Sequence, residues 1–505
     1  MVSRKKLSNL IHKFHLPTWL CILLAIVLVL RIPSFFEPYS YGDEMIYLTL
    51  GEAVRQGKTL YLTIHDNKPP LLYLTAALAG NLFWFKAILA FWMLGTTVLF
   101  WRFVEALFPK KDLLQKVSTI VFALLTTLPL LEGNIANAEL FMVGPTIGAF
   151  YILWTKKLNF KNLFVAGLLF SISTLFKVPA AFDVPVIILF WLTVGGLKLK
   201  NIGEVAKRTL FIAAGFLVPI GLTFIWYYIK GGFQQYLIAA FLENVGYLSS
   251  FRPDQVRDPF LVRNGPLLIR FGLVFLGTFI VWLFRKKLSK QYIFLTVWLL
   301  FTLFAVTLSE RPYPHYLIQS VPAISVMVGM LFTLNSLEQS LVIIPLALTF
   351  IPPVYYNFWH YRTLPYYEKF VKFAAGQTTR KEYIESFGGH VPVGYDIADF
   401  IVKSTKKDDP IFVWGPDSAL IYALSRRLPP FRYVALYHIN DFSSKEEVIE
   451  ALEKQNPELI VILDKAPIFR ELSGLLREKY VQVEIVDGAE IWSLISPEVY
   501  KEIAR

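Results

Sequence analysis

The chain has 505 residues, of which 55% are hydrophobic and only 17% charged, against about 25% charged in a typical soluble domain. That deficit excludes an ordinary soluble globular protein. The formal net charge is +12 and Cys21 is the single cysteine, so no intrachain disulfide can form. The positive excess points to loops facing anionic lipid, not to nucleic acid.

Apolar runs recur near 17–32, 82–107, 117–131, 138–154, 163–177, 183–196, 209–229, 265–284, 291–308, 317–334 and 341–358. Runs of roughly 15–22 residues can cross a bilayer. They are too uniformly apolar for amphipathic helices, so the pattern predicts about eleven membrane-spanning helices. Arg4, Lys5 and Lys6 precede the first run, but Arg31, Pro33, Phe35 and Phe36 follow it in place of a small-residue cleavage site. It is therefore expected to stay as a span.

Loop charge orients the spans. With the N-terminus (Arg4, Lys5, Lys6, Lys13) in the cytoplasm, alternate loops carry Lys110, Lys111 and Lys116, then Lys156, Lys157 and Lys161, then Lys198, Lys200, Lys207 and Arg208, then Arg285, Lys286, Lys287 and Lys290. The intervening loop 132–137 has no Lys or Arg, and 309–316 has only Arg311. This alternation follows the positive-inside rule. It places 33–81, 132–137, 178–182, 230–264 and 309–316 on the outer face, with everything after about 360.

The stretch Tyr39–Tyr73 is the first outer loop and is polar beside a greasy helix. Gly42-Asp43-Glu44 opens an amphipathic helix that ends at Gly57, with Ile46, Leu50, Ala53 and Val54 on one face and Thr49, Glu52 and Gln56 opposite. Such a helix is expected to lie along the membrane surface. Asp43 and Glu44 either complement its N-terminal dipole, with Ser40 as cap, or supply a general base. His65-Asp66-Asn67-Lys68-Pro69-Pro70 follows, and its prolines fix an extended approach to the next span. Lys68 is either an interfacial anchor or a cation gripping a phosphate; His65 and Asp66 are either a solvated pair or part of a site.

Further along, Glu139 opens a span, and a carboxylate there is functional by default. Lys177 ends a span on the outer side and is either a snorkelling anchor, the reading slightly favoured, or a second phosphate contact. Glu243 and Asn244 are weaker candidates. Arg311, Tyr313 and His315 cluster on one short outer loop.

Beyond 360 the charges return. Helices are expected at 396–405, 417–425, 445–453 and 468–479, with strands at 410–414, 459–463, 481–485 and 489–494. Strands alternating with helices predict a small α/β domain with a largely parallel sheet. The domains are thus read as 1–360 and 361–505.

The run Gly42-Asp43-Glu44, a helix ended by glycine, then Asn67-Lys68-Pro69-Pro70-Leu71-Leu72-Tyr73 resembles the dolichyl-phosphate-mannose protein mannosyltransferase-like group, which includes the aminoarabinose lipid A transferases. Asn137-Ala138-Glu139-Leu140 and Tyr313-Pro314-His315-Tyr316 match further runs, and the resemblance covers roughly 15–360. It implies an all-α polytopic GT-C membrane domain with a large first outer loop, followed by an extracytoplasmic α/β domain. It further implies inverting transfer of a sugar from a polyprenyl-phosphate carrier to an outer-face glycan, lipid or protein. In that reading the family's acidic residue maps onto Asp43, beside Glu44, and its second acidic position onto Glu139. Lys68, Arg311, His315, Tyr313 and His65 would contact substrate or phosphate. Asp43 with Glu139 could bind a divalent ion, although no ligand spacing demands one. The competing class is a transporter or flippase of lipid-linked sugars. It would favour ionisable residues at span centres and repeated halves, whereas the polar residues here cluster at outer ends.

Overall fold

In a computed structural model the described residues are 16–243 and 259–495; Arg4, Lys5, Lys6, Lys13 and Asn244 lie outside them. The chain divides into two compact units. One comprises Met1–Phe35, Lys86–Leu222 and Val245–Thr363; the other comprises Phe36–Phe85, Thr223–Asn244 and Leu364–Arg505. The C-terminal residues thus share their unit with the first polar loop.

Eight helices among the described residues are long and apolar enough to cross a membrane: Thr18–Phe36, Leu82–Leu107, Ala138–Thr155, Val178–Gly195, Leu199–Ile229, Asn264–Phe284, Pro314–Thr333 and Leu337–Tyr355. Each coincides with an apolar run of the sequence. The runs near 163–177 and 291–308 fall on the shorter apolar helices Phe160–Phe176 and Lys290–Val306. The run near 117–131 forms the helix Asp112–Leu125 and then a short turn at Pro129–Leu131, because proline cannot donate the next helical hydrogen bond. Helices suit this solvent because they satisfy every backbone polar group internally.

Packing in the first unit depends on small residues and aromatic rings. A Cβ on Gly167 would lie 2.1 Å from the Ile212 carbonyl oxygen, and one on Gly215 2.0 Å from that of Phe164. Two helix backbones therefore touch there, as small residues permit in membranes. Trp298 is surrounded by Phe103, Phe150 and Phe294 at 6.1, 4.8 and 5.5 Å between ring centroids. Its indole N–H donates to Asp183 Oδ1 at 2.8 Å, and Gln319 donates to Oδ2 at 3.2 Å.

In the second unit the helix expected after Gly42 spans Gly42–Arg55, and Gly57 ends it with φ of +78°, a conformation that favours glycine. Its polar face is not exposed as the sequence suggested. Every residue from Glu44 to Ala53 is buried, Thr49 and Glu52 included. The helices Leu71–Ala79 and Ser418–Ser425 both pack on it, so the chain's own tail covers the side assigned to water. Glu52 is offset there by Arg426, Lys407 and Arg55 at 3.5, 3.7 and 3.8 Å. Ser40 does not cap the helix: Tyr41 occupies that position, and the Ser40 hydroxyl donates to the Pro38 carbonyl.

The tail forms a four-stranded sheet from β1 (Ile411–Trp414), β2 (Leu459–Ile462), β3 (Tyr480–Val486) and β4 (Ala489–Leu494), ordered β1-β2-β4-β3. The pairing of β1 with β2 is parallel, but β2–β4 and β3–β4 are antiparallel, so the sheet is not largely parallel. The cause is local. Asp487 and Gly488 both have positive φ, +46° and +84°, which makes a two-residue hairpin turn. Phe412, Trp414, Ile460, Leu472, Leu476 and Tyr480 belong to the core over this sheet.

Candidate functional site

Two clusters of charged side chains, one in each compact unit, carry the residues singled out from the sequence. In the second unit Asp43 stands in the first turn of the Gly42–Arg55 helix, where the helix dipole favours an anion. Its carboxylate accepts a hydrogen bond from the Tyr47 hydroxyl at 2.8 Å and lies 4.0 Å from the Lys68 ammonium. Lys68 also faces Asp66 at 3.7 Å and sits over the Tyr47 ring at 4.9 Å. Asp43 is about one-third exposed, with 32% of its side chain accessible, whereas the neighbouring Glu44 is buried. The structure therefore separates two carboxylates that adjacent sequence positions could not.

Asp66 fixes the loop behind Lys68. It is buried and accepts from the Tyr73 hydroxyl and the Asn67 amide, both at 2.7 Å. Tyr61 donates to the Lys68 carbonyl at 2.8 Å, so two buried tyrosines clamp the backbone that presents the lysine. Burial pushes the Asp66 carboxyl up, but Lys68, His438 and the Tyr73 hydrogen bond outweigh it and hold it below the usual carboxylate range.

His65 is buried and does not stand beside Lys68 as a solvated group. Its Nε2 lies 3.2 Å from Glu243, its amide donates to the Arg432 carbonyl at 2.7 Å, and Tyr433, Phe442 and His438 surround its ring. His438 lies 3.4 Å from Asp66. Sequence reasoning missed His438 because the short helix that carries it, Leu436–Phe442, has neither motif nor amphipathic pattern.

This pairing has a pH dependence. Burial pulls the His438 imidazole from 6.5 down to about 4, against the opposing pull of Asp66. Between those values the unfolded chain binds a proton that the folded chain does not, so stability falls as pH drops through that window. The loss is on the order of 2–3 kcal/mol. Thermal melts from pH 7 to 4.5 should show a falling midpoint in the wild type and a flatter profile in His438→Gln.

In the first unit Glu139 opens the Ala138–Thr155 helix and is buried. Lys177 forms a close ion pair with it and stacks over the Tyr316 ring at 3.9 Å. Lys177 is thus the partner of a buried carboxylate, not merely a span-end anchor. His315 places Nε2 3.8 Å from Glu139 and hydrogen-bonds Glu132 through Nδ1. The Tyr313 ring lies 5.5 Å from His315 and 4.7 Å from Trp359, while Arg311 is exposed. Glu132 was not singled out from the sequence, which offers only an acidic residue in a short loop.

Among the described residues no group of three or more His, Cys, Asp or Glu is arranged to hold a metal ion. Asp43 faces Lys68 and Glu139 faces Lys177. Each of the two carboxylates named for a divalent ion thus has an ammonium group beside it.

Comparison with known proteins bears on the fold. Residues 394–492 match the family described as "Putative competence-induced protein Ccs4 C-terminal domain". No curated protein sequence matches the chain. Among solved structures, the chain is similar to ArnT from Cupriavidus metallidurans bound to undecaprenyl phosphate, with a TM-score of 0.56, 14% identity, and coverage of 95% of this chain and 98% of that one. Against the same protein in the apo state the TM-score is 0.52 at 13% identity, covering 94% and 98%. The chain is a multi-pass membrane protein with the GT-C fold.

Proposed function

We propose that this chain is a membrane glycosyltransferase that moves a sugar from a polyprenyl-phosphate donor to a hydroxyl-bearing acceptor of the cell envelope. One observation carries the reading: Asp43, at a helix start, lies 4.0 Å from Lys68, which a buried carboxylate and two buried tyrosines hold in place. The fold is shared with a protein whose crystal structure holds undecaprenyl phosphate.

The chemistry follows from the residues. Asp43 takes the proton of the acceptor hydroxyl as its oxygen forms a bond to the anomeric carbon. The bond from that carbon to the phosphate oxygen breaks, and the electron pair leaves with the polyprenyl phosphate. Attack opposite the leaving group inverts the anomeric carbon. Lys68 stabilises the charge that develops on the phosphate. Asp43 is assigned the base because it is accessible, whereas Glu44 is enclosed. Glu139, held by Lys177, is the second acidic position, and Arg311, Tyr313 and His315 are assigned to substrate contacts. The loop 33–81 and the tail face outward, with the N-terminus in the cytoplasm, as the distribution of loop lysines and arginines supports.

Ligand-linked stability tests the phosphate grip. A ligand that binds only the folded protein raises its melting temperature. Undecaprenyl phosphate should stabilise the wild-type protein, undecaprenol should not, and Lys68→Gln should lose most of the shift. Equal stabilisation by undecaprenol and undecaprenyl phosphate would contradict the assignment.

A further inference from the structure

Glu132 is fully buried beside His315. Its Oε1 accepts from the Trp359 indole N–H at 3.2 Å, and its Oε2 accepts from Asn137 at 3.3 Å as well as facing His315 Nδ1. A buried carboxylate that accepts from two donors and also meets an imidazole nitrogen has a fixed orientation.

The backbone beneath it is fixed too. Glu132 has a φ of +57°, which costs a non-glycine residue roughly 1–2 kcal/mol. The loop holds that conformation by specific bonds. Arg31 donates to the carbonyls of Thr126 and Gly133 at 2.7 and 3.0 Å, and Lys86 donates to that of Asn134 at 2.9 Å. The Glu132 and Gly133 amides bond the Pro129 and Leu128 carbonyls at 2.8 and 3.0 Å. A Cβ on Gly133 would lie 2.6 Å from the Thr127 backbone, so only glycine fits next to Glu132. Glu132 is the left-handed cap of the Pro129–Leu131 turn, and these bonds hold it there.

We propose that Glu132 is a positioning residue for His315. A carboxylate can only accept, so the nitrogen it faces, Nδ1, carries a hydrogen. The bond made by one imidazole nitrogen decides what the other can do. Nε2 is then the nitrogen left to exchange a proton, and it faces Glu139 at 3.8 Å. Glu132, His315 and Glu139 form a carboxylate–imidazole–carboxylate series closed by Lys177, in which Glu132 sets the ring's tautomer and angle. That His315 serves sugar transfer rests on the reading above; the tautomer itself rests on the geometry alone.

The test uses full-length protein in lipid with ¹⁵N-labelled histidine and magic-angle-spinning NMR, His315 being assigned by the signal lost in His315→Gln. In the wild type His315 should show a protonated Nδ1. In Glu132→Gln that signal should shift toward the Nε2–H form, because the amide must also answer two other donors. Turnover should fall about 10–100-fold, the range seen when a carboxylate that orients a metal-bound histidine is replaced, with KM little changed. Glu132→Asp, which keeps the charge, should retain more of the Nδ1–H signal than Glu132→Gln. A wild-type His315 in the Nε2–H form, or a Glu132→Gln protein that melts earlier with its His315 signal unmoved, would overturn the proposal. If no donor supports transfer, the transferase reading fails while the tautomer result still stands or falls on its own.

Discussion

Asp43→Asn should lower sugar transfer by about 10²–10⁴-fold, the usual contribution of a positioned general base, without lowering donor affinity. Asparagine keeps the size of the side chain and an oxygen to accept the Tyr47 hydrogen bond. It removes the charge and the proton-accepting capacity. Lys68 keeps Asp66 at 3.7 Å, so the ammonium stays in place for a phosphate, and losing one of its two carboxylates leaves it more available. The predicted signature is a fall in kcat with KM unchanged, which marks an interaction made only in the transition state. Glu44→Gln is the control. Glu44 is enclosed by its neighbours, so this change should register in thermal stability much more than in turnover. If Glu44→Gln abolished transfer and Asp43→Asn did not, the base would be Glu44.

Lys177→Met should destabilise the protein by about 3–5 kcal/mol, the cost of leaving one member of a buried ion pair uncompensated. Glu139 is buried at a helix start, with Lys177 as its close partner and His315 farther away. Methionine fills the space of the lysine stem but offers no charge. Combining it with Glu139→Gln removes both charges and should restore most of the lost stability, because a neutral pair in an apolar setting avoids the desolvation penalty. The double-mutant cycle isolates the coupling. Additive losses would show that the two residues do not depend on each other. Melting midpoints of the four proteins in the same lipid supply the measurement.

Much of this fold is legible in the sequence because apolar runs of spanning length admit few other structures. Each of the eleven runs is helical, although Pro129 cuts one short. The lysine site was legible for a different reason: Asp43, Asp66, Lys68 and Tyr73 lie within one stretch of chain, so local spacing brings them together. Three features were not legible. The polar face of the Gly42–Arg55 helix looked solvent-facing because its cover, Ser418–Ser425, is remote in sequence. His438 carries no local signal of its pairing with Asp66. Glu132 sits in a loop whose structure depends on Arg31 and Lys86 from separate helices, and no pattern in the loop reports this. The sheet error differs in kind. Asp487-Gly488 is a strong hairpin signal, and reading it would have predicted the antiparallel β3–β4 pair.

The most direct measurement is transfer itself. Purified full-length protein in lipid is incubated with a panel of radiolabelled polyprenyl-phosphate sugars and a cell-envelope extract as acceptor. Label should move from the lipid to an acceptor with inverted anomeric configuration, and Asp43→Asn protein should leave it on the lipid. Absence of transfer from every donor, by protein shown to be folded and to bind undecaprenyl phosphate, would contradict the assignment of this chain as a glycosyltransferase.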